Sequence, residues 1–344
     1  ATLPGTTGLK LAFLQIHDAP YRMDFLRHLA RQPSIDLTVF SYLPVDQAHV
    51  YWKLETGGYV SRGLGRFLKF GPSMLHFRLL NPWFLKPFDM VAVTAHSNLT
   101  SLLAYFWCWF WGIPYVYMAD TVDERLTARV FRAIKAAIYK RAAFLFVTGR
   151  ASMRFFQDRY GVPEDRLLAG YYSFDYARIR ALEDEGRKQR QTVRRKLGIS
   201  EEATLRIMAA NFLPFREHLK LIKKFGQTVD GHLLLIGEGE CLADCKGYVE
   251  AHGLSGRVHF MPGQPFDDLV RLLPAGDVYV HSGREPYSTM PLLARLAGLR
   301  LGEHGDVPAF EDLEGGVLPE DFDAPLVAAR FAFIATTKWS QWRG

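Results

Sequence analysis

The chain has 344 residues, 49% of them hydrophobic and 23% charged, with a formal net charge of +6. Such a composition suits two globular domains of ordinary size and excludes a disordered or low-complexity chain. No uninterrupted apolar run is long enough to span a bilayer: the nearest, 102–118 (LLAYFWCWFWGIPYVYM), breaks at Gly112-Ile113-Pro114 and reads as a helix stop followed by a buried strand.

In chain order, 9–16 (LKLAFLQI) reads as a buried strand, 21–31 as an amphipathic helix and 35–43 (IDLTVFSYL) as a second strand. After a basic aromatic stretch come a strand at 89–96, a helix over 99–111, a strand at 113–120, a basic helix over 125–142 and a strand at 143–149. Strands alternating with helices predict a parallel, doubly wound sheet. The segment 178–196 is charged and poor in apolar residues, and reads as an outlying helix or linker. Beyond it the alternation restarts, with strands at 205–212, 232–240, 257–263 and 277–283 and a helix over 217–225. The expectation is an N-terminal Rossmann-like domain over 1–175, a C-terminal one over 176–330 and a tail over 331–344, with a ligand in the cleft between the two domains. The first apolar segment reaches only Ile16 before His17 and Asp18, too short for a secretory leader. A cytoplasmic protein is expected.

The charge is uneven. Residues 1–160 hold 19 Lys and Arg against 10 Asp and Glu, and the remainder 23 against 26. Residues 56–88 contain no acid, while Arg62, Arg66, Lys69, Arg78 and Lys86 alternate with Phe67, Phe70, Phe77, Trp83, Phe84 and Phe88. Cations among interfacial aromatics suit an anionic membrane surface, each nearby cation contributing roughly 1 kcal/mol; solvated cations over a buried aromatic core are the alternative. No nucleic-acid-binding motif accompanies the basic patch, so no nucleic-acid partner is expected. Cys108, Cys241 and Cys245 make neither a disulfide framework nor a metal set, and no metal is expected.

The most informative stretch is 278–298, VYVHSGREPYSTMPLLARLAG: an apolar strand, a polar loop and a helix, with Ser288 and Thr289 beside the helix start. Unpaired backbone N–H groups there would suit a phosphate. Ser282, Glu285, Pro286, Tyr287, Ala294 and Gly298 resemble the donor-binding signature S-x-x-E-P-F-G, followed by a helix ending A-x-G, of family 4 glycosyltransferases. GEGE at 237–240 and the following GLSGRVHFMPG resemble the same family in the same order, and upstream HDAPYRMDFLRHL and TGRASMRFFQDRYGVPEDRLLAGYYSFD look like its N-terminal segments.

The resemblance implies an α/β, GT-B fold of two doubly wound Rossmann-like domains facing a central cleft. It further implies a retaining, metal-independent hexosyltransferase that needs no cofactor and moves a sugar from a UDP- or GDP-linked donor to a glycan or lipid-linked acceptor in glycan, glycolipid or polysaccharide biosynthesis. By it, Glu285 reaches the donor sugar, and Arg216, Ser288 and Thr289 hold the diphosphate with Asn211 and Tyr287 nearby. Gly237 and Gly239 allow close backbone approach, and Asp18, His96 and Asp120 serve the acceptor. These last three follow predicted strands, as do His17 and Asp123, and a carboxylate can orient an acceptor hydroxyl. A basic acceptor domain implies peripheral attachment at the inner face of the membrane. Two departures stand out. Asn211 and Arg216 occupy the places of the family's Arg and Lys, and Leu293 replaces its second, ribose-binding Glu, so a GT-B protein that binds without transferring is the alternative.

Overall fold

The computed structural model describes residues 8–16, 20–43, 58–71, 73–94, 98–119, 129–228, 230–284, 288–302, 305, 313 and 319–343. By its contacts the chain forms two compact units, 1–175 together with 321–344, and 176–320.

The first unit is built on β1 (Leu9–Gln15), β2 (Ile35–Ser41), β3 (Val60–Gly63), β6 (Met90–Thr94), β7 (Tyr115–Ala119), β8 (Phe144–Val147) and β9 (Leu167–Ala169), all parallel, in the order β3-β2-β1-β6-β7-β8-β9. Strands β6, β7 and β8 are buried at every position. Helices cover both faces of a parallel sheet, so its strands carry continuous apolar runs, and that is why the sequence pattern finds them. Between β3 and β6 lies an antiparallel hairpin, β4 (Phe67–Phe70) with β5 (Ser73–His76). The helices of this unit are α1 (Pro20–Ala30), α2 (Leu99–Trp111), α3 (Arg129–Arg141) and α4 (Arg150–Tyr160). Asn98 caps α2 by accepting from the Thr100 N–H at 2.9 Å, and Gly112 closes the helix in the left-handed region.

The chain's last helix, α10 (Ala324–Arg343), belongs to this unit. Val327, Ala328, Phe331, Ala332 and Ala335 recur at helical spacing and are buried. The ring centroid of Phe331 lies 5.5, 5.1 and 5.2 Å from those of Phe25, Phe144 and Phe146. Burying that ring stabilises the unit by about 1.5–3 kcal/mol. Of the residues 331–344 expected as a tail, 331–343 thus continue a helix that begins at Ala324, and by contacts 321–330 join the first unit instead of the second.

The second unit holds β10 (Leu205–Ala209), β11 (His232–Ile236), β12 (Val258–Met261), β13 (Val278–Tyr279) and β14 (Arg300–Leu301), parallel in the order β12-β11-β10-β13-β14. Its helices are α5 (Tyr176–Lys196), α6 (His218–Thr228), α7 (Leu242–Ala251), α8 (Phe266–Leu272) and α9 (Met290–Leu296). The segment read as an outlying helix or linker is α5, and it is a structural member of the unit. Ile179, Leu182, Glu183 and Gly186 form its buried stripe, and a Cβ at Gly186 would lie 2.0 Å from the Arg271 carbonyl oxygen of α8. Arg190 and Arg194 both reach Asp277, at 2.6 and 3.2 Å, and the same carboxylate accepts from the Leu205 N–H at 2.7 Å, which locks α5 to the amino ends of β10 and β13.

A cavity of about 700 Å³ opens in the first unit, at the amino ends of β7, β8 and β9. Three of its four lining cations are engaged structurally: Arg166 caps α3 through the Lys140 carbonyl at 3.0 Å, Arg141 lies 5.0 Å over the Trp109 ring, and Lys338 pairs with Asp165 at 3.3 Å. That cavity therefore lies at the opposite edge from the strand ends where open α/β sheets bind ligands. Among the described residues no helix is long and apolar enough to cross a membrane, and no cluster of three His, Cys, Asp or Glu could hold a metal ion.

Candidate functional site

In the second unit the chain direction of assembly reverses between β10 and β13, which pair with each other while their neighbours run outward on either side. Loops leaving the carboxyl ends of such a strand pair form a ligand crevice. Here these loops are 210–217 and 280–284, and 237–241 after β11 flanks them.

Backbone bonds lace the three loops together. Ala210 donates to the Ile236 carbonyl at 2.9 Å, Phe212 to Glu238 at 2.7 Å, and Cys241 to Phe212 at 3.0 Å. Gly237 and Gly239 have φ of 151° and 146°, and a Cβ would come within 2.3 Å of the Ala210 oxygen and 2.5 Å of the Phe212 oxygen. The close approach that these glycines permit is therefore to the loop after β10. On the other side Ser282 Oγ donates to the Arg216 carbonyl at 2.6 Å and Arg284 N–H to Phe215 at 3.1 Å. Gly283, at φ 71°, has its Cβ position 2.1 Å from the Phe215 oxygen. The loop holding Arg216 is thus clamped from both flanks.

Glu217, at φ 50°, is the single non-glycine residue with positive φ among the described residues. It turns the chain from the short 3₁₀ turn Pro214–Arg216 into α6. A left-handed residue with a Cβ costs about 1–2 kcal/mol, strain that persists where the surroundings over-determine the backbone, as at ligand sites.

Arg216 lies half-buried with its guanidinium 5.2 Å over the exposed Phe215 ring and Nη1 3.3 Å from His281 Nε2. An arginine only donates, so His281 Nε2 accepts, its proton is assigned to Nδ1, and Nδ1–H donates to the Tyr279 hydroxyl at 3.2 Å. His218, at the start of α6, is 2% exposed and stacks on Phe212 with centroids 4.1 Å apart. Burial pushes its pKa down to about 4 against an opposing pull from the Ala210 backbone, and the nearby Arg216 guanidinium adds to the fall. Neither of its ring nitrogens makes a well-formed hydrogen bond.

Of the residues expected at the site, the structure brings Arg216, Gly237 and Gly239 together around the loop after β10, with Asn211 exposed on that loop. Ser288 is buried, its Oγ accepting from the Met290 N–H at 3.4 Å, and Thr289 is half-buried ahead of the seven-residue α9. Leu293 is fully buried, as are Leu292 and Ala294. Glu285, Tyr287, Asp18, His96 and Asp120 lie outside the described residues, as do His17 and Asp123. In sequence Asp18 and His96 follow β1 and β6, the neighbouring strands at the corresponding reversal of the first sheet. His218, Tyr279 and His281 were not singled out from sequence. The available signal was a histidine at the start of α6 and another just after β13, the latter inside the motif that ends at Gly298.

No protein-family model matches the chain, and no curated protein does. Solved structures do. HepE from Anabaena, crystallised in complex with UDP and glucose, is 16% identical, with 97% of this chain and 94% of that one covered at a TM-score of 0.64. WaaG, described as a glycosyltransferase involved in lipopolysaccharide biosynthesis, is 16% identical over 96% and 92% of the two chains at 0.56. The catalytic domain of starch synthase IV from Arabidopsis thaliana, bound to ADP and acarbose, is 9% identical over 98% and 99% at 0.63. At these identities the likeness shows the fold: two Rossmann-like α/β halves, as in GT-B glycosyltransferases.

Proposed function

We propose that this protein is a glycosyltransferase that moves a sugar from a UDP- or GDP-linked donor to an acceptor hydroxyl, with retention and without a metal or cofactor. The observation that carries the reading is the clamped loop after β10, which holds Arg216 against His281 at the reversal point of the second sheet. A guanidinium fixed at such a point suits a diphosphate, both as a bidentate partner and as a stabiliser of the charge that develops when the sugar leaves. Structural neighbours bound to UDP or ADP support a nucleotide ligand. In this reading Arg216, Asn211, Ser288, Thr289 and Tyr287 serve the diphosphate and Gly237 and Gly239 frame it. Glu285 serves the sugar, and Asp18, His96 and Asp120 the acceptor. The assignment to family 4 rests on the motif spacing.

The test is a thermal-shift screen with UDP, GDP and ADP, followed by transfer and hydrolysis assays with the corresponding nucleotide sugars. A ligand at a hundred times its Kd stabilises the folded state by about 2.7 kcal/mol. Absence of any shift with all three would end the reading. Binding without transfer or hydrolysis would favour the alternative, a GT-B protein acting as a binding or partner subunit, for which the apolar Leu293 in place of a carboxylate speaks.

The acceptor is proposed to be a glycan or lipid-linked molecule at an anionic membrane surface. Helix α2 has no charged residue, yet Phe106 is 49% and Phe110 62% exposed. It packs beside the acid-free stretch, with Trp107 donating to the Leu79 carbonyl at 2.7 Å and Lys86 4.5 Å over the Trp111 ring, and there Phe70, Leu80 and Trp83 are also exposed. An apolar surface helix edged by cations suits a headgroup layer better than water. Neutralising Arg62, Arg66 and Lys69 is expected to reduce cosedimentation with anionic vesicles and to leave the residual binding less salt-sensitive. Unchanged vesicle binding in that triple variant, and in Phe106→Ser/Phe110→Ser, would remove the membrane from this proposal.

A further inference from the structure

The cavity at the amino ends of β7, β8 and β9 lies wholly within the first unit, away from the candidate donor site of the second. Lys140, Arg141, Arg166 and Lys338 line it, and no Asp or Glu does. Among the described residues only Lys338 is paired with an acid, Asp165. Arg166 reaches the carbonyls of Tyr139, Lys140 and Ala142 through Nη2 alone, which leaves the N–H groups at Nε and Nη1 without a described partner. Arg141 lies over the Trp109 ring and its guanidinium makes no hydrogen bond to a described residue; the exposed Lys140 ammonium meets no acid there. Two of these cations act on one atom of the wall. Burial pushes the Tyr115 phenol far above its ordinary range, while the Trp109 N–H and the charges of Arg141 and Arg166 pull it back, so both guanidinium groups stand near that hydroxyl. Like charges gathered without a carboxylate repel one another, and a bound anion relieves the repulsion.

The other side of the wall is aromatic. Trp342 is 51% exposed, yet its Nε1–H donates to the Gly112 carbonyl at 2.8 Å, 230 positions earlier, and its ring stacks on no other among the described residues. Trp109 Nε1–H donates to the Tyr115 hydroxyl at 3.2 Å, which donates in turn to the Ile138 carbonyl at 2.6 Å. With those donors satisfied, the indoles offer a ligand apolar area, and a pinned, exposed Trp342 is a platform for a flat or apolar group. A volume of about 700 Å³ is ordinary for a small-molecule site.

We propose that this cavity is a second ligand site that takes an organic phosphate, the phosphate against Lys140, Arg141 and Arg166 and the planar or apolar body against Trp342. The site stands apart from the donor-site reading and does not depend on it. A phosphate suits the lining because its several oxygens accept from two guanidinium groups and an ammonium at once. Two sources carry this chemistry, a soluble phosphate monoester and the headgroup of a phosphatidic acid.

The experiment is calorimetry of the whole chain with phenyl phosphate, inorganic phosphate and dihexanoyl phosphatidic acid below its micelle concentration. Phenyl phosphate is expected to bind more tightly than inorganic phosphate and to weaken as salt is added. Lys140→Gln is expected to weaken it about tenfold, and Trp342→Ala to bring it down to the level of inorganic phosphate. Arg216→Ala is expected to bind phenyl phosphate as the parent does. A tighter phosphatidic acid would identify a lipid as the source, and a tighter phenyl phosphate a soluble monoester. No saturable binding of any probe, equal binding of phenyl and inorganic phosphate, or binding unchanged in both cavity variants would overturn the proposal. Loss in Arg216→Ala with both cavity variants intact would move the probe to the second unit and overturn it too, leaving the donor site standing. Should Trp342→Ala not fold, Lys140→Glu, at an exposed position, decides by reversing the charge.

Discussion

Leu293→Glu is expected to lower the melting temperature sharply without tightening nucleotide binding. The motif spacing sets Leu293 where a ribose-binding carboxylate would stand, and on that ground alone the substitution would restore an acceptor for two hydroxyl groups. The structure argues otherwise, because Leu293, Leu292 and Ala294 are all fully buried in a helix of only seven residues. The one cation of its own helix, Arg295, is exposed and two positions away, off the buried face, so an ionised carboxylate placed there has no partner on that helix, and burying it costs several kcal/mol. For a domain of this size each kcal/mol moves the melting temperature by about 2–4 °C, so a fall of roughly 10 °C is the expected scale. Leu293→Met, which nearly conserves volume, should cost under about 1.5 kcal/mol. Calorimetric melting and nucleotide titration on the same three proteins check both halves of the expectation. A Glu variant that melts like the parent and binds nucleotide more tightly would show that α9 turns this position toward the ligand.

How far the sequence carries can be judged element by element. Strands β1, β2, β6, β7, β8, β10, β11 and β12 are legible because sheets covered on both faces leave long apolar runs, and α2 was placed to the residue, its end marked by the Gly112 stop. The edge strand β3 was not found, since Val60, Ser61, Arg62 and Gly63 are all exposed and have no apolar pattern to show. Strand β13 lies within the strand expected at 277–283 although it pairs over only two residues, whereas β14, equally short and lacking a motif, was not found. Helix α10 was missed because its buried stripe is made largely of alanine, whose burial leaves little hydrophobic contrast, and because its partners in the first sheet lie more than 180 residues away in the chain. The site divides in the same manner. Arg216 was singled out by its place in the loop after a strand, whereas its contact with His281 spans 65 positions that no local pattern encodes.

Arg216→Ala is expected to weaken binding of nucleoside diphosphates by about 10- to 150-fold, the equivalent of a charged hydrogen-bonded contact worth about 1.5–3 kcal/mol, while changing nucleoside binding little. The argument is geometric. The backbone of Arg216 is fixed by Ser282 Oγ on its carbonyl at 2.6 Å and by the left-handed Glu217 that follows, so truncation of the side chain leaves the loop in place. What the variant removes is the guanidinium, together with its contact to His281 Nε2. Arg216→Lys keeps the charge but not the planar fork, and is expected to recover part of the affinity and none of the bidentate geometry. Calorimetry of UDP against uridine, and of the other nucleotide and nucleoside pairs, reads the separation directly. Equal losses for the two ligand types in Arg216→Ala would place this side chain away from the phosphates and would withdraw the clamped loop as the diphosphate site.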